Sequence, residues 1–301
     1  MKKIDDLIKK AKSLGPSKMA VACAADFPVL EAIELARKEN IIEAVLVGDK
    51  EKIVEMLKDN AKHYEIIDIK DPVLACEEAV KLVSSKKCNV LMKGLVDTSV
   101  ILKAVLNKEF GLRTKNRLSH VTLMESSFYH KLFLMSDGAM NMYPDAALKQ
   151  EILENGVDIL NKVGIKNPKV GCICAIEKIN PKMIHTLDCQ ELVDKNKNNE
   201  IKDCIVGGPY ALDNAINKEA AIHKGIDDGI AGDVDFLLMP QIEAGNVFYK
   251  TMMFLADAKS ASVVAGATNP IVLTSRADEI ETKYNSIAFA ALIAKDLLWL
   301  F

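Results

Sequence analysis

At 301 residues, 50% of them hydrophobic, the chain can bury a full core and has the length for two domains of ordinary size, which excludes a peptide or disulfide scaffold. Aromatic residues make up only 5% while Ala, Ile, Leu and Val abound, a balance that favours helices packed on aliphatic strands over a sandwich or a base-stacking nucleic-acid platform. The net charge of -3 gives no general attraction to nucleic acid or an anionic membrane, so a polyanionic ligand needs a local basic site.

The chain opens with MKKIDDLIKKAKSL, basic but with no apolar stretch behind it, which reads as an amphipathic first helix rather than a signal peptide. No segment nears the roughly 20 uninterrupted apolar residues of a membrane span, and a soluble, cytoplasmic protein is expected. A strand over 19–23 is followed by a helix over 29–38, a strand over 44–47 closed by Gly48-Asp49, and a helix over 50–57. The alternation continues with 65–69 (strand), 72–83 (helix) and 90–92 (strand), the last leading into Lys93-Gly94. This βαβ order predicts an α/β fold with parallel strands covered by helices.

Between Leu118 and Asp137 the runs SHVTLME and FYHKLFLMSD are joined by a Ser-Ser turn with no room for a helix, predicting an antiparallel hairpin. Pro144-Asp145 then starts a long helix, a second βα series begins at Pro168 with KVGCICA, and the polar run 194–200 reads as a solvated loop. The division expected is one lobe of 1–140 plus 275–301, with the final helix from Asp278 returning to it, and a second lobe of 141–274.

Familiar ligand motifs are missing: there is no GxGxxG after a strand, no GxxxxGK[ST], no HExxH and no EF-hand spacing. His63, His120, His130, His185 and His223 are scattered without a second His or Cys at ligand spacing, so no metal is expected. Asp227, Asp228, Asp233 and Asp235 form a cluster that suits either a cation or a solvated turn before a strand over 236–239. The seven cysteines lack a CxxC pair and read as buried reduced thiols, with Cys172 and Cys174 on one side of a strand.

Several places suit an oxyanion. Ser275-Arg276 follows an apolar strand over 270–273 and precedes a helix, which sets a hydroxyl and a planar cation at a helix N-terminus. Glu243-Ala244-Gly245-Asn246 lies past a strand ending at Pro240 and opens a helix with Tyr249 and Lys250, where Gly245 either exposes amides to an anion or is a plain packing glycine. Gly207-Gly208-Pro209 ends a strand over 204–206 and lets backbone approach a ligand, with Asp213 starting the next helix. Lys93-Gly94 is the basic candidate of the first lobe, because open α/β sheets bind ligands beyond the carboxyl ends of their strands. Arg113 and Arg117, in the basic loop GLRTKNR, read as solvated, and Asp137-Gly138 with Asn141 suit turn and cap roles as well as chemistry.

The segments GGPYALDNAINKEAAIHKGI and AGDVDFLLMPQIEAGNVFYK, followed by Gly266, Asn269-Pro270 and Ser275-Arg276, resemble the phosphate acetyl/butyryltransferase family. LMKGLVDTSVILKAVLNKE, SDGAMNMYPD and KVGCICAIEKINPKM resemble its butyryltransferase branch, so the likeness runs through nearly the whole chain. The resemblance implies two α/β/α lobes with a cleft, akin to the isocitrate and isopropylmalate dehydrogenases, in a homodimer or higher homo-oligomer. It implies reversible acyl transfer between coenzyme A and inorganic phosphate, with coenzyme A as a substrate and no permanently bound cofactor. Ser275 and Arg276 become the catalytic pair, while Lys93, Gly208, Asp213, Glu243, Gly245, Asn246, Lys250 and Asn269 become the phosphate and CoA contacts. One departure stands out: similar acetyltransferases carry an aspartate seven positions after the serine, a proposed base for the CoA thiol, and here that place is Thr282. A same-fold dehydrogenase and a non-catalytic CoA-sensing module are the competing expectations.

Overall fold

The structure, a computed structural model, describes residues 2–275 and 278–297. They fall into two compact units, one of Ile4–Lys115 with the segment that starts at Ala261, the other of Asn116–Ser260.

In the first unit, α1 (Ile4–Ser13) leads into β1 (Ser17–Ala22), α2 (Phe27–Lys38), β2 (Ile42–Gly48), α3 (Lys50–Leu57), β3 (Glu65–Asp68), α4 (Pro72–Ser84), β4 (Val90–Lys93) and α5 (Thr98–Val105). The helices form for local reasons. Leu30, Ile33 and Ala36 lie at helical spacing on the buried face of α2. α4 starts on Pro72, and the Asp71 carboxylate accepts from the amides of Val73 and Leu74 at 2.9 Å.

In the second unit, β5 (Ser119–Glu125) and β6 (Phe133–Ser136) are followed by α6 (Ala146–Val163), β7 (Lys169–Ile173), α7 (Ile184–Lys197), β8 (Ile205–Tyr210), α8 (Leu212–Ile216), α9 (Lys218–His223), β9 (Phe236–Leu238) and α10 (Ile242–Leu255). Asp145 caps α6 by accepting from the Leu148 amide at 2.9 Å, and Gly164 closes it in the left-handed region. The chain ends with β10 (Lys259–Ala265), β11 (Ile271–Val272) and α11 (Ile280–Leu297).

The first unit orders its strands β3-β2-β1-β4-β11-β10; the first five are parallel, and β10 runs antiparallel to β11. The second orders them β5-β6-β9-β7-β8, with β5 and β6 the antiparallel hairpin and the rest parallel. The fold is therefore α/β on mixed parallel and antiparallel strands. Apart from the edge strand β3, whose residues are exposed or half-buried, the parallel strands are largely buried: β4 shows no solvent-facing residue, and Met19, Leu46, Val90 and Ile271 are in the core of the first unit. Phe133, Tyr210, Ile230, Leu237 and Met239 centre the core of the second.

Three expectations differ from what is observed. The chain passes between units at Lys115/Asn116 and Ser260/Ala261, not at 140/141 and 274/275. Pairing accounts for it: β6 joins β9 at Leu134↔Phe236, and β11 joins β4 at Val272↔Met92. The second strand of the hairpin starts at Phe133 rather than 128, because Tyr129 and Lys131 donate to the carbonyls of Val234 and Asp233 and so hold their segment as a turn. Finally, α7 continues through Lys197 where a loop is expected, since the Asn196 amide donates to the carbonyls of Ile201 and Cys204 at 3.0 Å and its oxygen accepts from Val206 N. Among the described residues, no helix is long and apolar enough to cross a membrane.

Candidate active site

Parallel strands place their carboxyl ends along one edge of a sheet, and in each unit most of the candidate residues gather there. In the first unit that edge is formed by Ala22, Gly48, Lys93 and Val272, followed by Cys23, Gly94 and the loop carrying Ser275. The α5 helix begins five residues after Lys93, so its N-terminal amides open on the same edge, where partial positive charge favours an anion.

Lys93 is buried, and its ammonium donates to the carbonyls of Gly94 at 3.2 Å and Val96 at 3.1 Å, which shapes the turn between β4 and α5. Beside it, Cys23 is half-buried and its thiol sits below the ordinary thiol range. A hydrogen bond from Cys76 is the main cause, opposed by burial and aided by the Lys93 charge. The other six cysteines are buried and unbridged, as the reduced reading expects.

Ser275 is exposed three residues past β11. Its amide donates to the Asp278 carboxylate at 2.7 Å, and its carbonyl accepts from Asp278 N at 3.2 Å and from the Lys283 ammonium at 3.1 Å. Arg276 lies outside the described residues. Thr282 is buried in the first turn of α11, with its carbonyl accepting from Ser286 Oγ at 2.8 Å. Asn269 is not brought to this edge. It precedes β11, and its amide donates to the carbonyl of Asn89, which precedes β4, so it stands at the amino ends of those strands.

The second unit builds its edge from the turn after β6 and the N-terminus of α10. Asp137, buried, accepts from the amides of Ala139 at 2.7 Å, Met140 at 3.0 Å and His120 at 3.2 Å, and from the Asn141 side chain at 2.6 Å. α10 docks on that turn through Gly245, where an added Cβ would lie 2.4 Å from the Asp137 carbonyl oxygen. Gly245 thus packs closely on that turn. Asn246 donates to the Gly138 carbonyl at 3.1 Å, and Tyr143 donates to Glu243 at 2.6 Å. Glu243, Asn246 and Lys250 recur at three and four residues, placing them on one stripe of the helix.

Gly208 and Asp213 lie two strands away, on β8 and α8. β8 runs through Gly207-Gly208-Pro209 instead of ending before it. At Gly208, φ is +125° and a Cβ would approach the Cys172 carbonyl to 2.8 Å, so only glycine fits. Among the described residues, no group of three or more His, Cys, Asp and Glu is placed to hold a metal ion.

Lys283, Asp278 and Cys23 were missed by motif reading. Lys283 left a signal: it precedes Ile287 by one turn on a face continued by Ala290, Ala291 and Ala294, all buried, so a cation interrupts an apolar column.

A family model described as phosphate acetyl/butaryl transferase matches residues 74–291, from α4 into α11. The chain belongs to the phosphate acetyl/butaryl transferase family. Within that family it is 46% identical over 296 residues to a phosphate butyryltransferase of Clostridium beijerinckii, covering 97% of this chain and 98% of the relative. It is 42% identical to a phosphate acetyltransferase of Thermotoga maritima, covering 97% and 99% of the two chains. A crystal structure of a branched-chain phosphotransacylase from Enterococcus faecalis V583 superposes with a TM-score of 0.82 at 31% identity, over 92% of this chain and 99% of that one. The phosphate acetyl/butaryl transferase match takes in β4, the carboxyl edge of the second unit and Ser275, while Ala22, Cys23 and Gly48 of the first unit's edge precede it.

Proposed function

We propose that the chain is an acyltransferase that moves a short acyl group, butyryl in preference to acetyl, reversibly between coenzyme A and inorganic phosphate. The observation that carries this reading is the near-complete overlap at 46% identity with a phosphate butyryltransferase. The butyryl-like segments around Lys93, Asp137 and Cys172 add to it. The finer architecture proposed is that of isocitrate/isopropylmalate dehydrogenase-type lobes.

In the acyl-phosphate direction a phosphate oxygen attacks the thioester carbonyl, the carbonyl electrons move onto oxygen, and their return expels the CoA thiolate, which then takes up a proton. No covalent enzyme intermediate is required. Holding both reactants in attack geometry supplies several kcal/mol of the barrier. Arg276 neutralises phosphate through its planar fork, and the Ser275 hydroxyl donates to the developing oxyanion. Lys93, the α10 stripe of Glu243, Asn246 and Lys250, and the backbone near Gly208, Gly245 and Asp213 hold phosphate and CoA. Asn269 acts from a distance, by fixing the approach to β11.

With Thr282 in place of an aspartate, activation of the thiol falls to its surroundings. A thiol of pKa about 8.5 is only a few per cent ionised at neutral pH. The cations Lys93 and Arg276, together with two helix N-termini, favour the thiolate without a dedicated base.

A second copy of the chain is the partner proposed. Only Gly245 of α10 is buried, while Val247, Phe254 and Leu255 are 64%, 73% and 84% exposed, an apolar surface that a homo-oligomeric contact would cover. Acyl selectivity is tested by kcat/KM over a series of acyl-CoAs. Two further buried methylenes are worth roughly 0.8 kcal/mol each, so butyryl-CoA should exceed acetyl-CoA by about tenfold. A preference for acetyl-CoA would assign the chain to acetyl transfer, as in the Thermotoga maritima relative.

A further inference from the structure

Lys283 occupies a position that stability alone does not explain. It is 2% exposed and lies in the first turn of α11, the positive end of the helix dipole, where a cation is disfavoured both by burial and by the aligned amides. A helical side chain points back toward the N-terminus. That direction carries its ammonium to the carbonyl oxygens of Ser275 at 3.1 Å and Asp278 at 2.5 Å, the two flanks of the loop between β11 and α11. Asp278 completes the arrangement by accepting from the Ser275 amide at 2.7 Å. Among the described residues, the acceptors of Lys283 are main-chain oxygens, so the charge is spent on holding backbone.

We propose that Lys283 is a positioning residue for acyl transfer, which ties the backbone of Ser275 to that of Asp278 at the start of α11 and so fixes where Ser275 stands past the end of β11. The proposal rests on the reading of Ser275 as a catalytic donor. Lys283 does not touch substrate; it acts through the backbone that carries Ser275. Lys283→Met removes the cost of a buried charge but leaves the Ser275 and Asp278 carbonyls without that donor, so kinetics and amide exchange, rather than melting temperature, separate the clamp from fold stability.

The test compares Lys283→Met, Ser275→Ala and the double variant, reading kcat, KM for butyryl-CoA, melting temperature and amide exchange over 273–280. Lys283→Met should lower kcat at least tenfold and change KM less than twofold. The melting temperature should fall by a few degrees at most, and exchange over 273–280 should quicken. The double variant should be no slower than Ser275→Ala, since both changes remove one contribution. Wild-type kcat and exchange in Lys283→Met overturn the proposal, as do multiplicative effects in the double variant. A Ser275→Ala variant with wild-type turnover would remove the catalytic reading of Ser275, and amide exchange in Lys283→Met would then decide the clamp by itself. If Lys283→Met does not fold, Lys283→Gln carries the same readouts. Loss of folding in both makes Lys283 structural and overturns the proposal.

Discussion

Arg276 joins a permanent charge to a geometry that grips two phosphate oxygens at once, and the two properties are separable by substitution. Arg276→Lys keeps the charge and loses the fork, while Arg276→Gln loses both. Each should lower kcat/KM, with Gln the worse by about a hundredfold from wild type, on the order of 3 kcal/mol of transition-state stabilisation. Steady-state kinetics of both folded variants check this, and near wild-type turnover in Arg276→Gln would move the phosphate site toward Lys93. Glu34 tests stability at the same scale. Arg37 donates to its carboxylate at 2.8 and 3.0 Å, with Tyr64 and Lys38 adding to the hold, and the carboxyl is drawn down to about 2 against the opposing effect of burial. A depressed carboxylate stabilises the fold above its unfolded value and loses that contribution as pH falls through the folded one. Glu34→Gln should therefore cost up to about 3 kcal/mol at pH 7, with the deficit closing between pH ~4.5 and ~2 in denaturant melts. A deficit independent of pH would assign the effect to packing. Ser275 is legible in the sequence because a serine next to an arginine between a strand and a helix forms a local pattern. Asp278 is not, and Lys283 shows only as a cation in an apolar column, because the groups they hold are backbone atoms, which no pattern of side chains marks.

The elements most legible in the sequence are those whose signals are local. β1, β2 and β4 are continuous aliphatic runs, α4 and α6 carry Asp caps, and each appears where its pattern predicts. The discrepancies arise where side chains bond at longer range: Tyr129 and Lys131 reach Val234 and Asp233, and Asn196 links α7 to Val206. α10 gives an ambiguous sequence signal for another reason. Ala244, Phe248, Tyr249 and Met252 pack half-buried against the core of the second unit, while Val247, Phe254 and Leu255 on the same helix are exposed. If a second copy covers this helix, Phe254→Asp together with Leu255→Glu should yield a smaller species by light scattering after gel filtration. An unchanged mass in a well-folded double variant would place the contact elsewhere.

At the scale of the whole molecule, βαβ order and family-like segments make the α/β class and acyl transfer legible in the sequence. The division between units is less so. Residues 116–140 and 261–274 take their place from strand pairs far apart in sequence, β6 with β9 and β11 with β4, and no local breaker marks them. What unites the two units chemically is that the candidates of each, Asn269 and the in-strand Gly208 apart, lie at or beyond the carboxyl ends of parallel strands, where helix N-termini and cations favour phosphate-bearing substrates. Phosphate is the acyl acceptor in the proposed reaction. The direct measurement is to follow free thiol and acyl phosphate together from butyryl-CoA, with and without inorganic phosphate. Thiol and butyryl phosphate should form in equal amounts, and neither should form when phosphate is withheld; thiol release that continues unchanged without phosphate, with no acyl phosphate made, would show a thioesterase and contradict the account.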